Sequence, residues 1–179
     1  MGIILSGGPN SVNSKTKYKL SNFIFNSGVP ILGICYGMQL IADFFGGKVM
    51  PSAKKEFGNA TFRITSKTTL FKNIKNKNEF NVWMSHSDKV ITNPSGFKTI
   101  GCSKNTENAA IYNAKKNIYC LQFHPEVTHT KNGKIIISNF LYEVCGCKKN
   151  WTTTNIIKDI SSTLKDQVGD KKVILALSG

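Results

Sequence analysis

Cys35 has the clearest chemical context in the sequence, because it is the centre of the segment Gly33-Ile34-Cys35-Tyr36-Gly37. This G-x-C-x-G pattern is the cysteine form of the nucleophile elbow, a sharp turn between a strand and a helix. The partial positive charge at the N-terminus of that helix favours a thiolate over a thiol. We therefore predict that Cys35 is a catalytic nucleophile. A buried structural cysteine between incidental glycines is the alternative for this segment alone.

A cysteine nucleophile needs a partner for proton transfer, and His124 is the best placed of the three histidines. His124 directly follows the apolar segment 118–123, and catalytic side chains in open α/β sheets lie at strand ends. Glu126 lies two residues further on, where its carboxylate could orient the imidazole. We predict that His124 and Glu126 complete a catalytic triad. His86 and His129 remain alternative partners for the cysteine.

The segment Ser6-Gly7-Gly8-Pro9 follows a short apolar run and contains two adjacent glycines. Glycines at the end of a strand allow backbone N–H groups to form a site for an anion. The N–H groups of Gly8 and Tyr36 are therefore predicted to form an oxyanion hole for the reaction at the cysteine. A plain turn is the alternative interpretation of this segment.

These residues must be positioned by strands and helices, and the hydrophobic pattern predicts where those elements lie. The chain begins with a strand at 3–5, a helix at 16–27, a strand at 29–34 and a helix at 36–45. This alternation indicates an α/β protein with a largely parallel central sheet. Further elements are predicted as strands at Val49, Phe57, 60–64, 80–83, 89–91, 97–100, 109–112 and 118–123, helices at 134–144 and 156–168, and a strand at 173–177.

Charge and composition argue against several other classes of protein. The net charge is +14, but only Arg63 among the 24 basic residues is an arginine. Specific recognition of nucleic acid relies on the planar fork of arginine, so we expect no nucleic-acid partner. The five cysteines have neither the spacing of a disulfide framework nor that of a zinc site. Without a membrane span or a signal peptide in the pattern, we expect a cytoplasmic protein with no metal site.

Three motifs occur together in the order and spacing of a known family. They are LSGGP at 5–9, GICYGMQ at 33–39 and QFHPEV at 122–127. This combination resembles the class I glutamine amidotransferases, which hydrolyse glutamine with a Cys-His-Glu triad. The resemblance implies a flavodoxin-like sheet flanked by helices, with additional antiparallel strands.

The same resemblance implies a reaction and a substrate site. Cys35 would attack the side-chain amide carbon of glutamine and form a glutamyl thioester, and this step needs no cofactor. The α-amino and α-carboxylate groups of glutamine would be bound by Gln39, Ser85, Ser87 and Asp88. The carboxylate of Asp88 is suited to the α-ammonium group.

The remainder of the chain resembles those family members that aminate xanthosine monophosphate (XMP) to GMP. In such proteins the ammonia passes to XMP that has been activated with ATP and Mg²⁺. The amidotransferase domain would then cover residues 1–147. Residues 148–179 would form a linker helix and the first strand of an ATP pyrophosphatase domain, with Ser178 and Gly179 opening its ATP-binding loop. The segments that carry this resemblance are 82–90, 124–130, 145–152 and 167–179.

The pattern also departs from the family at both ends. The chain begins on the strand that precedes the GGP loop, so the usual N-terminal strand and helix are expected to be missing. The ATP-binding loop is cut after Gly179, and any homodimer is expected to form through missing C-terminal regions. Two alternatives to a glutaminase therefore remain: a catalytically incompetent fragment that acts as a binding module, or another Cys-His-Glu hydrolase of the same fold.

Overall fold

The computed structural model describes residues 1–75, 78–150, 152–174 and 176. The chain divides into two compact units, Met1–Cys147 and Lys148–Gly179. The second unit contains helix α4 (Thr153–Val168), whose N-cap is Thr152. The first unit contains β1 (Ile3–Leu5), α1 (Asn22–Asn26), β2 (Ile31–Ile34), α2 (Tyr36–Phe44), β3 (Lys48–Ile64), a 3₁₀ turn (Thr69–Phe71), β4 (Glu79–Thr92), β5 (Lys98–Ser103), β6 (Ala110–Asn113), β7 (Ile118–Leu121), α3 (Gly133–Ser138) and a π-helical turn (Asn139–Val144).

Seven strands form a single sheet in the order β1-β2-β7-β6-β5-β3-β4. The pairs β1–β2 and β2–β7 are parallel, and the other four pairs are antiparallel. The α/β class predicted from the sequence is confirmed, and the antiparallel strands form the larger part of the sheet. Because β2 and β7 are parallel neighbours, Cys35 after β2 and His124 after β7 lie at the same end of the sheet.

Two apolar clusters cover the two faces of the sheet. All four residues of β2 and all four of β7 are buried, which is typical of strands that are covered on both sides. Their side chains alternate between the clusters, with Leu32 on one face and Ile31 on the other. Helix α2 packs on the face of Ile31, while the 3₁₀ turn, α3 and the π-helical turn pack on the face of Leu32.

The strands predicted separately at Val49, Phe57 and 60–64 belong to the single long strand β3, and those at 80–83 and 89–91 belong to β4. These two strands pair along nearly their whole length. In β4 every second residue is buried, and this inward row continues through His86 and Asp88. The sequence predicted two separate strands because the positions between them are polar. In the structure the strand is continuous, and His86 and Asp88 are buried beside polar partners.

Two helix predictions need correction. The helix predicted at 16–27 is limited to Asn22–Asn26, with Ser21 as its N-cap. Tyr18 and Phe23 are 65% and 78% exposed, and the other apolar residues of the predicted segment are only partly buried, so there is too little packing to stabilise a longer helix. The helix predicted at 134–144 begins at Gly133 and changes to a π-helical turn at Asn139.

The end of the chain was predicted to form a strand at 173–177. Val173, Ile174 and Ala176 are not in a strand and have no pairing partner in the described part of the chain, and the other two residues lie outside it. Ser178, Gly179 and Trp151 also lie outside the described residues. Within the described ranges, none of the helices is both long and apolar enough to cross a bilayer.

Candidate active site

Cys35 lies between β2 and α2, on the turn that the elbow motif predicts. Its backbone has φ 50° and ψ −106°, a conformation that residues with a side chain rarely adopt. The Cys35 N–H donates to the carbonyl of Leu121 at 2.7 Å, which ties the turn to the end of β7. Gly37 allows the helix to begin so closely, because a Cβ atom there would lie 2.0 Å from the Leu5 carbonyl oxygen. The positive φ of Cys35 therefore places backbone strain at the residue that carries the sulfur.

His124 follows β7 and lies next to Cys35 and Glu126. Its Nδ1 atom is 2.7 Å from a carboxylate oxygen of Glu126, so Nε2 is the nitrogen left for the sulfur of Cys35. A hydrogen bond with Cys35, followed by that with Glu126, raises the pKa of His124 to about 10, although burial opposes the shift. Burial alone would raise the pKa of Glu126, but the hydrogen bond with His124 outweighs burial and lowers it. The three predicted triad residues thus form one connected chain.

The loop that carries His124 is held against β4 by main-chain and side-chain contacts. The His124 N–H donates to the Trp83 carbonyl at 3.0 Å. The hydroxyl of Thr130 donates to the His124 carbonyl and accepts from the Trp83 N–H. His129 stacks on the Trp83 ring with centroids 4.6 Å apart and is exposed. His129 therefore supports the loop from the outside.

The two residues predicted to supply the oxyanion amides, Gly8 and Tyr36, line the same cavity as Cys35. Tyr36 is the first residue of α2, so its N–H has no acceptor within the helix. Gly8 approaches the Tyr36 ring so closely that a Cβ atom would lie 3.3 Å from it. Gly7 lies against the catalytic pair, since its Cβ would be 2.8 Å from His124 Cε1 and 3.6 Å from Cys35 Cβ. The glycine pair therefore allows this loop to pack directly on the candidate catalytic residues.

A cavity of about 360 Å³ opens beside Cys35. Asp88 lies in its wall and is 8% exposed. The Asp88 carboxylate accepts a hydrogen bond from the hydroxyl of Ser11 and another from Asn13 Nδ2 at 3.4 Å. The cavity thus has a sulfur atom and a fixed carboxylate in its lining. The full set of lining residues is Gly8, Pro9, Asn10, Ser11, Cys35, Tyr36, Gln39, Phe57, Ser85, His86, Ser87 and Asp88.

The four residues predicted to bind glutamine all line this cavity: Gln39, Ser85, Ser87 and Asp88. The Ser85 carbonyl lies 3.5 Å from the Cys35 sulfur. Gln39 is buried, and its Nε2 donates to the main-chain carbonyl of Asp88 at 2.8 Å. The amide nitrogen of Gln39 therefore holds β4 in place, while Asp88 directs its carboxylate toward the cavity.

The sequence did not reveal Glu56 as a candidate site residue. Glu56 contacts His86, which the sequence had left as an alternative partner of Cys35. His86 Nε2 lies 3.2 Å from a Glu56 carboxylate oxygen, and its Nδ1 lies 3.0 Å from the Asp88 carbonyl oxygen. Both ring nitrogens are thereby engaged away from the sulfur. The only local signal was the alternation of His86 and Asp88 along one strand. The described residues contain no group of three or more His, Cys, Asp and Glu side chains that could hold a metal ion.

Comparison with known proteins agrees with this fold. The family model described as glutamine amidotransferase class-I matches residues 1–144. The chain belongs to the class-I glutamine amidotransferase family, as the three sequence motifs predicted.

Two curated relatives carry the name GMP synthase (glutamine-hydrolyzing). The proteins from Vibrio vulnificus (strain YJ016) and Aliivibrio fischeri (strain ATCC 700601 / ES114) are each 48% identical over 99% of this chain. The chain spans 34% of the length of each of these relatives.

Solved structures show the same fold. A crystal structure of a Thermoplasma acidophilum protein, described as a GMP synthase subunit, has a TM-score of 0.69 and 29% identity. The match covers 90% of this chain and 76% of that chain. A glutamine amidotransferase from Thermotoga maritima has a TM-score of 0.60 at 20% identity, covering 93% of this chain and 66% of that chain, and supports the fold alone.

Proposed function

We propose that the site hydrolyses glutamine to glutamate and ammonia. The observation that carries this proposal is the connected chain of Cys35, His124 and Glu126 beside a polar cavity. The Cys35 thiolate attacks the side-chain amide carbon, and the protonated His124 gives its proton to the departing ammonia. The resulting thioester is attacked by a water molecule that gives a proton to His124. The carbon–sulfur bond then breaks, which releases glutamate and restores the Cys35 thiolate beside the protonated His124. Glu126 keeps Nε2 of His124 directed at the sulfur throughout.

The cavity residues have separate roles in this proposal. The N–H groups of Gly8 and Tyr36 stabilise the negative oxygen of the tetrahedral intermediate. The Asp88 carboxylate binds the α-ammonium group of glutamine, and its burial strengthens that contact. Ser85 and Ser87 line the same wall, where their polar groups can reach the rest of the amino acid. Gln39 shapes this wall through its hydrogen bond to Asp88.

The name of the curated relatives suggests a destination for the ammonia. We propose that it aminates XMP, activated with ATP and Mg²⁺, to form GMP in the cytoplasm. Glutamine hydrolysis itself uses no cofactor, and the residues for XMP, ATP and Mg²⁺ are assigned to a synthetase domain. We further propose that residues 1–147 are the amidotransferase domain and that 148–179 lead into that synthetase domain, with Ser178 and Gly179 in its ATP-binding loop.

The direct test measures glutamate and ammonia release from glutamine by the intact protein. Cys35→Ala should lower the rate by at least roughly a thousandfold, because it removes the nucleophile. The matched control is Cys102→Ala, which alters a partly exposed cysteine on β5 and should leave the rate unchanged. Equal rates for the wild type and Cys35→Ala would refute the proposal. Cleavage of γ-glutamyl peptides in preference to glutamine would instead indicate a different hydrolase.

A further inference from the structure

A buried pair, Glu56 and His86, lies in the wall that carries the substrate carboxylate. The two residues face each other across β3 and β4. They are 7% and 4% exposed, and neither belongs to the proposed triad. Buried ionisable groups require partners, so each hydrogen bond of this pair restricts its protonation.

The hydrogen bonds determine where the protons lie. The Nδ1 atom of His86 is 3.0 Å from the main-chain oxygen of Asp88, which can only accept. The Nε2 atom faces the Glu56 carboxylate, which also accepts from the hydroxyl groups of Ser103 and Thr106. These bonds and the contact with His86 outweigh burial and hold the pKa of Glu56 below its usual value. Glu56 thus anchors the His86 ring through Nε2, while Nδ1 of the same ring donates to the Asp88 main chain.

The neighbouring cation, Lys89, directs its Nζ to the Asn105 carbonyl oxygen at 2.7 Å. The Lys89 charge is therefore held by another main-chain group. The side chains that bond the Asp88 carbonyl oxygen are His86 and Gln39.

We propose that His86, held in place by Glu56, is a positioning residue that fixes Asp88 for the α-ammonium group of the substrate. This inference rests on the proposed glutaminase function. The Asp88 carbonyl oxygen accepts from both His86 and Gln39, while its carboxylate accepts from Ser11. These hydrogen bonds orient Asp88 before the substrate binds. The pair therefore contributes to selectivity for amides that carry an α-amino group.

The test compares glutamine with glutaramate, an analogue that lacks only the α-amino group. His86→Gln should lower kcat/KM for glutamine by roughly tenfold or more, mainly through KM, because the contact with a charged group is weakened. Hydrolysis of glutaramate should change by less than about twofold, since Asp88 has no ammonium to bind there. The matched control, Glu79→Gln, alters an exposed residue of the same strand and should leave the rates on both substrates unchanged.

Equal losses on the two substrates, or no loss on either, would overturn the positioning role while the wild type remains a glutaminase. A wild type that releases no glutamate would refute the proposed function, and the positioning role with it.

Discussion

Replacing Glu126 with glutamine tests how much the carboxylate contributes to His124. Glutamine keeps an oxygen that can accept from Nδ1, so the substitution removes the charge and little else. Two unit charges at the observed separation of 2.7 Å interact by about 1.5 kcal/mol at the dielectric constant of water. Hydrogen bonds to charged groups contribute roughly 1.5–3 kcal/mol. Because the Glu126 side chain is 43% exposed, we take the lower limit.

A loss of about 1.5 kcal/mol from the transition state corresponds to a decrease in kcat of roughly tenfold. The assay is glutamate release at saturating glutamine, with KM measured alongside. KM should change by less than about twofold, since Glu126 does not line the substrate cavity. Glu143→Gln is the matched control, because Glu143 pairs with Lys72 on the surface. An unchanged kcat in Glu126→Gln would refute the assigned role of the carboxylate.

The same substitution should alter the pH dependence of stability. The pKa of His124 is raised from 6.5 to about 10, so its contribution to stability is complete below pH 6.5 and is lost as the pH rises through 10. Denaturant unfolding of the wild type and Glu126→Gln should therefore differ most near pH 6, and the difference should shrink toward pH 10. A difference that grows between these pH values would contradict the contribution of Glu126 to the raised pKa of His124, which adds to the larger contribution from Cys35.

Three further predictions concern the geometry of the site. Cys35→Gly should be more stable than Cys35→Ala by about 1 kcal/mol, the reverse of the usual order, because only glycine relieves the positive φ; thermal unfolding measures the difference. Gly7→Ala should lower kcat by roughly tenfold or more while the fold persists, because its methyl group displaces His124; kinetics and circular dichroism check this. Thr130→Val should destabilise the protein by roughly 1–3 kcal/mol and lower kcat, since two main-chain groups lose their hydroxyl partner, whereas the exposed Thr128→Val should do neither.

The sequence predicted those parts of the fold whose signals are local. Strand β2 and helix α2 each show their own periodicity, and the glycines around Cys35 allow the sharp turn that the structure contains. His124 follows an apolar strand, and its position beside Cys35 results from the parallel pairing of β2 with β7. The motifs indicated that pairing because their order and spacing match those of a family.

Local sequence patterns could not predict contacts between distant segments of the chain. Glu56 faces His86 only because β3 and β4 pair in a register that shifts between Pro51 and Glu56. No periodicity in either strand reveals that irregularity. Helix α1 is short for a different reason. Its apolar spacing suggests a buried face, but none of its residues is fully buried and Phe23 is exposed.

The most direct test of the proposed mechanism is to trap the covalent intermediate on Cys35. The intact protein is mixed with glutamine, quenched in acid within the first turnover, digested and examined by mass spectrometry. The peptide that contains Cys35 should carry one glutamyl group, and the adduct should be absent from Cys35→Ala. Ammonia release that proceeds without an adduct, and at an equal rate in Cys35→Ala, would contradict nucleophilic catalysis by this cysteine.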